Sequence, residues 1–163
     1  MRLLFVCLGN ICRSPAAETI MRHKLRDAGL EATVAVDSAG TASYHCGELP
    51  DPRTRVSLQR RGYRDWSRAR QVTPDDFRNF QHILAMDRQN LRELKRLCPD
   101  PAYWDKVRLI GDFVQTRKEL EVPDPYYGSP DDFELVLDIL EDACSSLIEM
   151  LQGGAPPPRR EGG

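Results

Sequence analysis

No apolar run in these 163 residues approaches the roughly 20 that a membrane crossing requires. The N-terminus enters a strand-like segment, not a charged, apolar and cleavable leader, so no membrane association and a cytoplasmic location are expected. Cysteine is sparse: five, an odd number without the spacing of a disulfide framework, which suits a reducing compartment. Cys98 and Cys144 read as packing residues. A large excess of one charge is also missing, since 23 basic against 25 acidic residues leave a net charge of −2. That balance argues against a strongly basic nucleic-acid binder. Basic residues gather before Phe80 and acidic ones after it; Arg53, Arg55, Arg60, Arg61, Arg64, Arg68 and Arg70 read first as a solvated face, with a patch beside an anion site as the alternative. Nucleotide-binding loops are absent as well: neither three glycines as Gly-x-Gly-x-x-Gly nor a Lys-Ser/Thr pair after glycines occurs in the first loop, which holds one glycine, Gly9. No repeat at solenoid periods is visible.

What is present is Cys7-Leu8-Gly9-Asn10-Ile11-Cys12-Arg13-Ser14, between the apolar run Leu3, Leu4, Phe5, Val6 and a helix-like stretch over residues 15–28. A strand that ends in a tight loop opening a helix places backbone N–H groups and the positive helix end around one small volume, suited to an oxyanion. Cys7 stands at the strand exit, where those N–H groups and Arg13 favour the thiolate, the nucleophilic form. Arg13 follows five intervening residues later, and its planar fork can hold two oxygens of a tetrahedral phosphate. Cys-x5-Arg in this setting reads as nucleophilic attack on phosphorus. Asn10 tolerates a left-handed conformation that would aim the loop amides inward. Ser14 is expected to cap the helix, with Pro15 at its first position, and to hydrogen-bond the Cys7 sulfur. No ligand pair near Cys7 and Cys12 completes a metal site, and no cofactor is expected.

Along the chain, apolar spacing predicts a strand over residues 2–7, a helix with Ala17, Ile20, Met21, Leu25 and Ala28 as its core face, and a second strand over residues 33–36. A helix over residues 51–61 ends at Gly62, and a short one follows near residues 73–77. A third strand is predicted over residues 82–86, with Asp87 capping the next helix, and a fourth over residues 106–110. The connection over residues 111–129 is long enough to require a function. Ser129-Pro130-Asp131-Asp132 opens the last helix, whose Phe133, Val136, Leu137, Leu140, Cys144, Leu147, Ile148 and Leu151 form one stripe. Strands alternating with helices predict an α/β fold, a small parallel sheet with helices on both faces and a ligand site at the carboxyl end of the first strand.

These motifs resemble the low-molecular-weight protein-tyrosine phosphatases over roughly residues 1–151. The resemblance is carried by Val6-Cys7-Leu8-Gly9-Asn10-Ile11-Cys12-Arg13-Ser14-Pro15, Ser38-Ala39-Gly40-Thr41, Ala69-Arg70-Gln71, Met86-Asp87 and Asp124-Pro125-Tyr126-Tyr127-Gly128. It implies a single-domain, three-layer sandwich whose four-stranded parallel sheet has the order 2-1-3-4. The catalytic domain would occupy residues 1–152, and the Pro/Gly-rich residues 153–163 would form a flexible tail. By the same resemblance Cys7 is the nucleophile that forms a phosphocysteine, and Arg13 and the loop amides bind phosphate. Asp124 protonates the leaving tyrosyl oxygen and then activates water. Ser38 joins the hydrogen-bond support of the loop, Tyr44 falls where the family places an aromatic wall for the substrate ring, with Tyr126 or Tyr127 as further wall candidates, and Cys12 forms a reversible disulfide with Cys7. The local alternative for Asp124 is an Asx turn before Pro125. Leu8 and Ile11 are further apolar wall candidates, and Ile11 stands where related phosphoarginine phosphatases place Thr, which favours phosphotyrosine. Mammalian members have His where this chain has Ser67, so that part of their loop support does not carry over.

The substrates implied are phosphotyrosyl proteins and small aryl phosphates, and the expected state is a monomer or weak homodimer. Two readings compete. Thiol-dependent arsenate reduction would need a relay of further cysteines, but Cys46, Cys98 and Cys144 are dispersed. A non-catalytic phosphopeptide module would not need Cys7, Arg13 and Asp124 together.

Overall fold

The computed structural model describes residues 1–160. Four parallel strands, β1 (Arg2–Cys7), β2 (Ala35–Gly40), β3 (His82–Ala85) and β4 (Val107–Leu109), form one sheet in the order β2-β1-β3-β4. Leu3, Leu4, Phe5 and Val6 of β1 are fully buried, as a central strand covered on both faces must be. Alternation divides them: Leu3 and Phe5 join the core under α1 (Arg13–Asp27), α2 (Pro52–Arg60) and α5 (Pro130–Leu151), while Leu4 and Val6 join that under α3 (Pro74–Asn79) and α4 (Arg88–Leu97). The result is the three-layer α/β sandwich expected from the sequence. Residue 161 onward, the last part of the expected tail, lies outside the described residues.

Element boundaries moved where polar residues found partners. β2 runs through Gly40, well past the expected residue 36, pairing Asp37 with Leu4 and Ser38 with Phe5. Asp37 tolerates a strand because its carboxylate meets Arg70, and Ser38 because its hydroxyl meets a buried carboxylate. Helix α1 starts one residue before Ser14, with Cys12 in the capping position and no side-chain cap. The expected capping role of Ser14 is therefore corrected: its hydroxyl faces the Cys7 sulfur. Asp87 does cap α4, accepting from the Asn90 N–H at 2.7 Å, and Ser129 and Asp132 form a capping box on α5. β4 is shorter than predicted because Lys106 closes one 3-10 turn (Pro101–Lys106) and Ile110 opens another (Ile110–Phe113).

Segment 157–160 runs beside the free edge of β4. Arg159 donates to the Val107 carbonyl at 2.9 Å, the Arg160 N–H donates to Asp112 at 2.9 Å, and Arg108 donates to the Pro157 carbonyl at 2.6 Å. Composition signals apolar burial only; here guanidinium donors and a main-chain amide make the contacts.

Candidate active site

β1 pairs with β2 on one side and β3 on the other, so the chain leaves Cys7 at the switch point of the sheet. The loop after Cys7 turns back on itself through Asn10, whose φ of 56° lies in the left-handed region that Asn enters more readily than most residues. This turn aims the Asn10 N–H at the Cys7 Sγ, 3.3 Å away. Ser14 Oγ lies 3.0 Å from the same sulfur. Two polar hydrogens can thus meet one buried sulfur.

Above it is a cavity of about 280 Å³ lined by Cys7, Leu8, Gly9, Ile11, Cys12 and Arg13 of the loop, with Tyr44, His45, Asp124, Tyr126 and Tyr127 around the mouth. Arg13 is 2% exposed. Its NH1 donates to Asp87 Oδ2 at 2.6 Å and to the Val122 carbonyl at 3.0 Å, and its NH2 lies 3.6 Å from Asp124 Oδ2. Burial opposes its charge, but the Cys7 sulfur, Asp87 and Asp124 outweigh that, so the guanidinium is held charged more firmly than in water. Asp124 is anchored by its other oxygen, which accepts the Tyr126 N–H at 3.1 Å. The Asx turn and the place at the cavity therefore coexist.

The three aromatic candidates differ in how they are held. Tyr126 packs against a small cluster of Ile11, Cys12, Ala69 and Phe133, with the Arg53 guanidinium 5.4 Å from its ring centre. Tyr44 and Tyr127 are 76% and 97% exposed, rim positions rather than built walls. Asn10, Ser14 and Ser38 do not line the cavity. They stand behind it: Asn10 Nδ2 donates to Ser14 Oγ at 2.7 Å and to Ser38 Oγ at 2.9 Å. Cys12, though on the cavity, has its thiol pushed up to about 12, first by burial. Among the described residues no cluster of three or more His, Cys, Asp or Glu could hold a metal.

Sequence reasoning missed three contributors. Asp87 was recognised as a helix cap, but not as the partner of Arg13. His45 lies in the loop after β2, its imidazole edge against Gly9 and its Nδ1 bonded to Glu48. Glu18 sits inside α1, where acidic residues usually face water, yet is 1% exposed. The available signal was its place one turn after Ser14 in a helix start that is otherwise without acidic residues.

The comparisons agree with this geometry. The model of the low molecular weight phosphotyrosine protein phosphatases matches residues 2–155. A Synechocystis protein carrying the low molecular weight protein-tyrosine-phosphatase name is 55% identical over 153 residues, 93% of this chain and 96% of its own. The Homo sapiens low molecular weight phosphotyrosine protein phosphatase is 40% identical over 148 residues, covering 90% of this chain and 93% of its own. The crystal structure of a protein tyrosine phosphatase from Entamoeba histolytica superposes with a TM-score of 0.90 at 50% identity, over 93% of this chain and 97% of that one. A Cys-x5-Arg loop at the head of a parallel 2-1-3-4 sheet, matched along nearly the whole chain, places this protein in the low-molecular-weight protein-tyrosine phosphatase family.

Proposed function

We propose that the chain hydrolyses phosphotyrosine in proteins, and small aryl phosphates, through a phosphocysteine on Cys7. The observation that carries this is the Cys7 sulfur, met by the Asn10 N–H at 3.3 Å and Ser14 at 3.0 Å, in the same cavity as Arg13 and Asp124. The thiolate attacks phosphorus, the Arg13 fork and the loop amides hold the charge on the equatorial oxygens, and Asp124 gives a proton to the departing tyrosyl oxygen. In the second step Asp124, now a carboxylate, takes a proton from water as it attacks the phosphocysteine. The S–P bond breaks, and Ser14 and the Asn10 N–H stabilise the departing thiolate.

Ile11 and Tyr126 support an aryl substrate, since both present apolar surface to the cavity. Phosphotyrosyl proteins are the proposed partners, encountered in the cytoplasm by a monomer or weak homodimer. Among the described residues no helix is long and apolar enough to cross a membrane. Cys12 lines the same cavity as Cys7, which supports a reversible disulfide: a peroxide oxidises Cys7 to a sulfenic acid, and the Cys12 thiol displaces water from it.

Hydrolysis of p-nitrophenyl phosphate tests the mechanism. Cys7→Ser is expected to reduce it to background, and Asp124→Asn to slow it by about 10²–10⁴. Unchanged turnover by folded Cys7→Ser protein overturns the proposal.

A further inference from the structure

Asp124 reaches the cavity on the connection over residues 114–129, which has no helix or strand of its own and takes its shape from what it rests on. On the cavity side the Val122 N–H donates to the Met86 carbonyl at 2.8 Å, the Val122 carbonyl accepts from Arg13 at 3.0 Å, and Glu121 accepts the Arg88 N–H at 2.7 Å. On the other side the support is backbone against backbone. Gly111 is buried so close to Leu120 that a Cβ placed on it would stand 1.8 Å from the Leu120 carbonyl oxygen. Where Gly111 sits therefore sets where Leu120 sits, four residues before Asp124.

Gly111 and Asp112 are in turn held by segment 157–160. The buried Asp112 carboxylate takes Arg108 Nε on one oxygen at 3.1 Å and the Arg160 N–H on the other at 2.9 Å. Arg160 NH1 reaches the Gly111 carbonyl at 3.4 Å, and Arg108 NH2 donates to the Pro157 carbonyl at 2.6 Å. Arg159 adds donors to the carbonyls of Val107 at 2.9 Å and Asp105 at 3.3 Å. Lifting the segment away would leave a buried carboxylate short of a donor and a buried guanidinium short of an acceptor, which keeps it docked. We infer that segment 157–160 is a strap that positions the general acid: it holds Gly111 and Asp112, they fix the Leu120 backbone, and that sets the place of Asp124 at the cavity. Arg160 is the positioning residue at its centre. This rests on the acid role of Asp124 proposed above. The strap lies beyond the residues that the family model matches, so it is no part of the pattern that defines the family.

A displaced acid matters most when the leaving oxygen cannot depart without a proton. p-Nitrophenolate departs readily unprotonated, and phenolate does not. In the full chain, Arg159→Ala combined with Arg160→Pro removes both guanidinium groups and the amide donor without touching the cavity. The double variant is expected to lower kcat/KM for phenyl phosphate about tenfold and that for p-nitrophenyl phosphate no more than about twofold. It should also speed amide hydrogen exchange at Val122 by about tenfold while β1 exchanges as before. In an Asp124→Asn background the same two substitutions should have almost no further effect on phenyl phosphate, because their influence passes through the carboxyl already removed. Should the double variant not fold, Arg159→Ala alone loosens the strap from β4 and is expected to show the same selective loss on phenyl phosphate. An equal fall with both substrates, unchanged kinetics in folded protein, or a full additional loss in the Asp124→Asn background overturns the inference. If Asp124→Asn itself slows the two substrates equally, the acid role of Asp124 fails, and the strap's role with it.

Discussion

Asp87 carries two loads with one carboxylate. Oδ2 receives the Arg13 guanidinium at 2.6 Å, and Oδ1 caps α4 through the Asn90 N–H at 2.7 Å. The two can be separated chemically, since Asn caps a helix about as well as Asp but brings no charge to Arg13. Asp87→Asn is therefore expected to leave denaturant stability within a few tenths of a kcal/mol and to lower kcat/KM about tenfold as Arg13 loses its ionic anchor. Asp87→Ala should show the same kinetic loss and in addition about 1 kcal/mol of destabilisation from the missing cap. Steady-state kinetics and urea unfolding on the two variants distinguish them, and equal stabilities would deny the capping load. Cys12 shows how differently two sulfurs of one cavity are held: burial keeps its thiol protonated, while the Cys7 sulfur is the one met by the loop amide and Ser14.

At the scale of the element, the end of β2 acts as a mould for the phosphate loop. A Cβ on Gly40 would stand 2.7 Å from the Leu8 carbonyl oxygen, 3.1 Å from that of Ala42 and 3.2 Å from the Asn10 nitrogen. Backbone cannot yield cheaply there, so Gly40→Ala is expected to displace the loop and lower kcat/KM by at least about tenfold. Gly29, which ends α1 at φ 71°, is the control: nothing lies within 4 Å of a Cβ placed there. Gly29→Ala should cost about 1 kcal/mol from the left-handed backbone alone and leave the kinetic constants of the folded protein unchanged. Comparable kinetic effects from both substitutions would show that the contact at Gly40 is not what shapes the loop.

At the scale of the whole molecule, β3 carries a titration into the stability of the sheet. His82 is half-buried, and burial first, then the charge on Arg108, hold its imidazole below the ordinary range. The folded state thus takes up this proton later than the unfolded state, whose histidines titrate near about 6.5. Its contribution to stability is complete above that pH and is lost as pH falls from there through the lower folded value. Thermal unfolding at a series of pH values from 8 down to about 5 should show that decline, and His82→Gln should flatten it; an identical slope in the variant would assign the decline elsewhere. How far such features could be read in advance follows from range. The apolar alternation, the buried run Leu3, Leu4, Phe5 and Val6 of β1, the caps of α4 and α5 and the Cys7–Arg13 spacing were legible because each depends on residues a few positions apart, where backbone periodicity dictates what faces what. The end of β2 was not, because Asp37 and Ser38 discourage a strand until Arg70 and Glu18 supply their partners. The sequence by itself determined the Cys7–Arg13 spacing and the strand–loop–helix that holds the two residues. Tertiary structure alone decided that Asp87 and Val122 anchor Arg13, that Glu18 stands behind Ser38 and that His45 lies over Gly9. Those contacts join segments whose mutual register is set by parallel pairing of β1 with β2 and β3, and a hydrophobic pattern of period two specifies which face a residue takes but not which distant residue meets it.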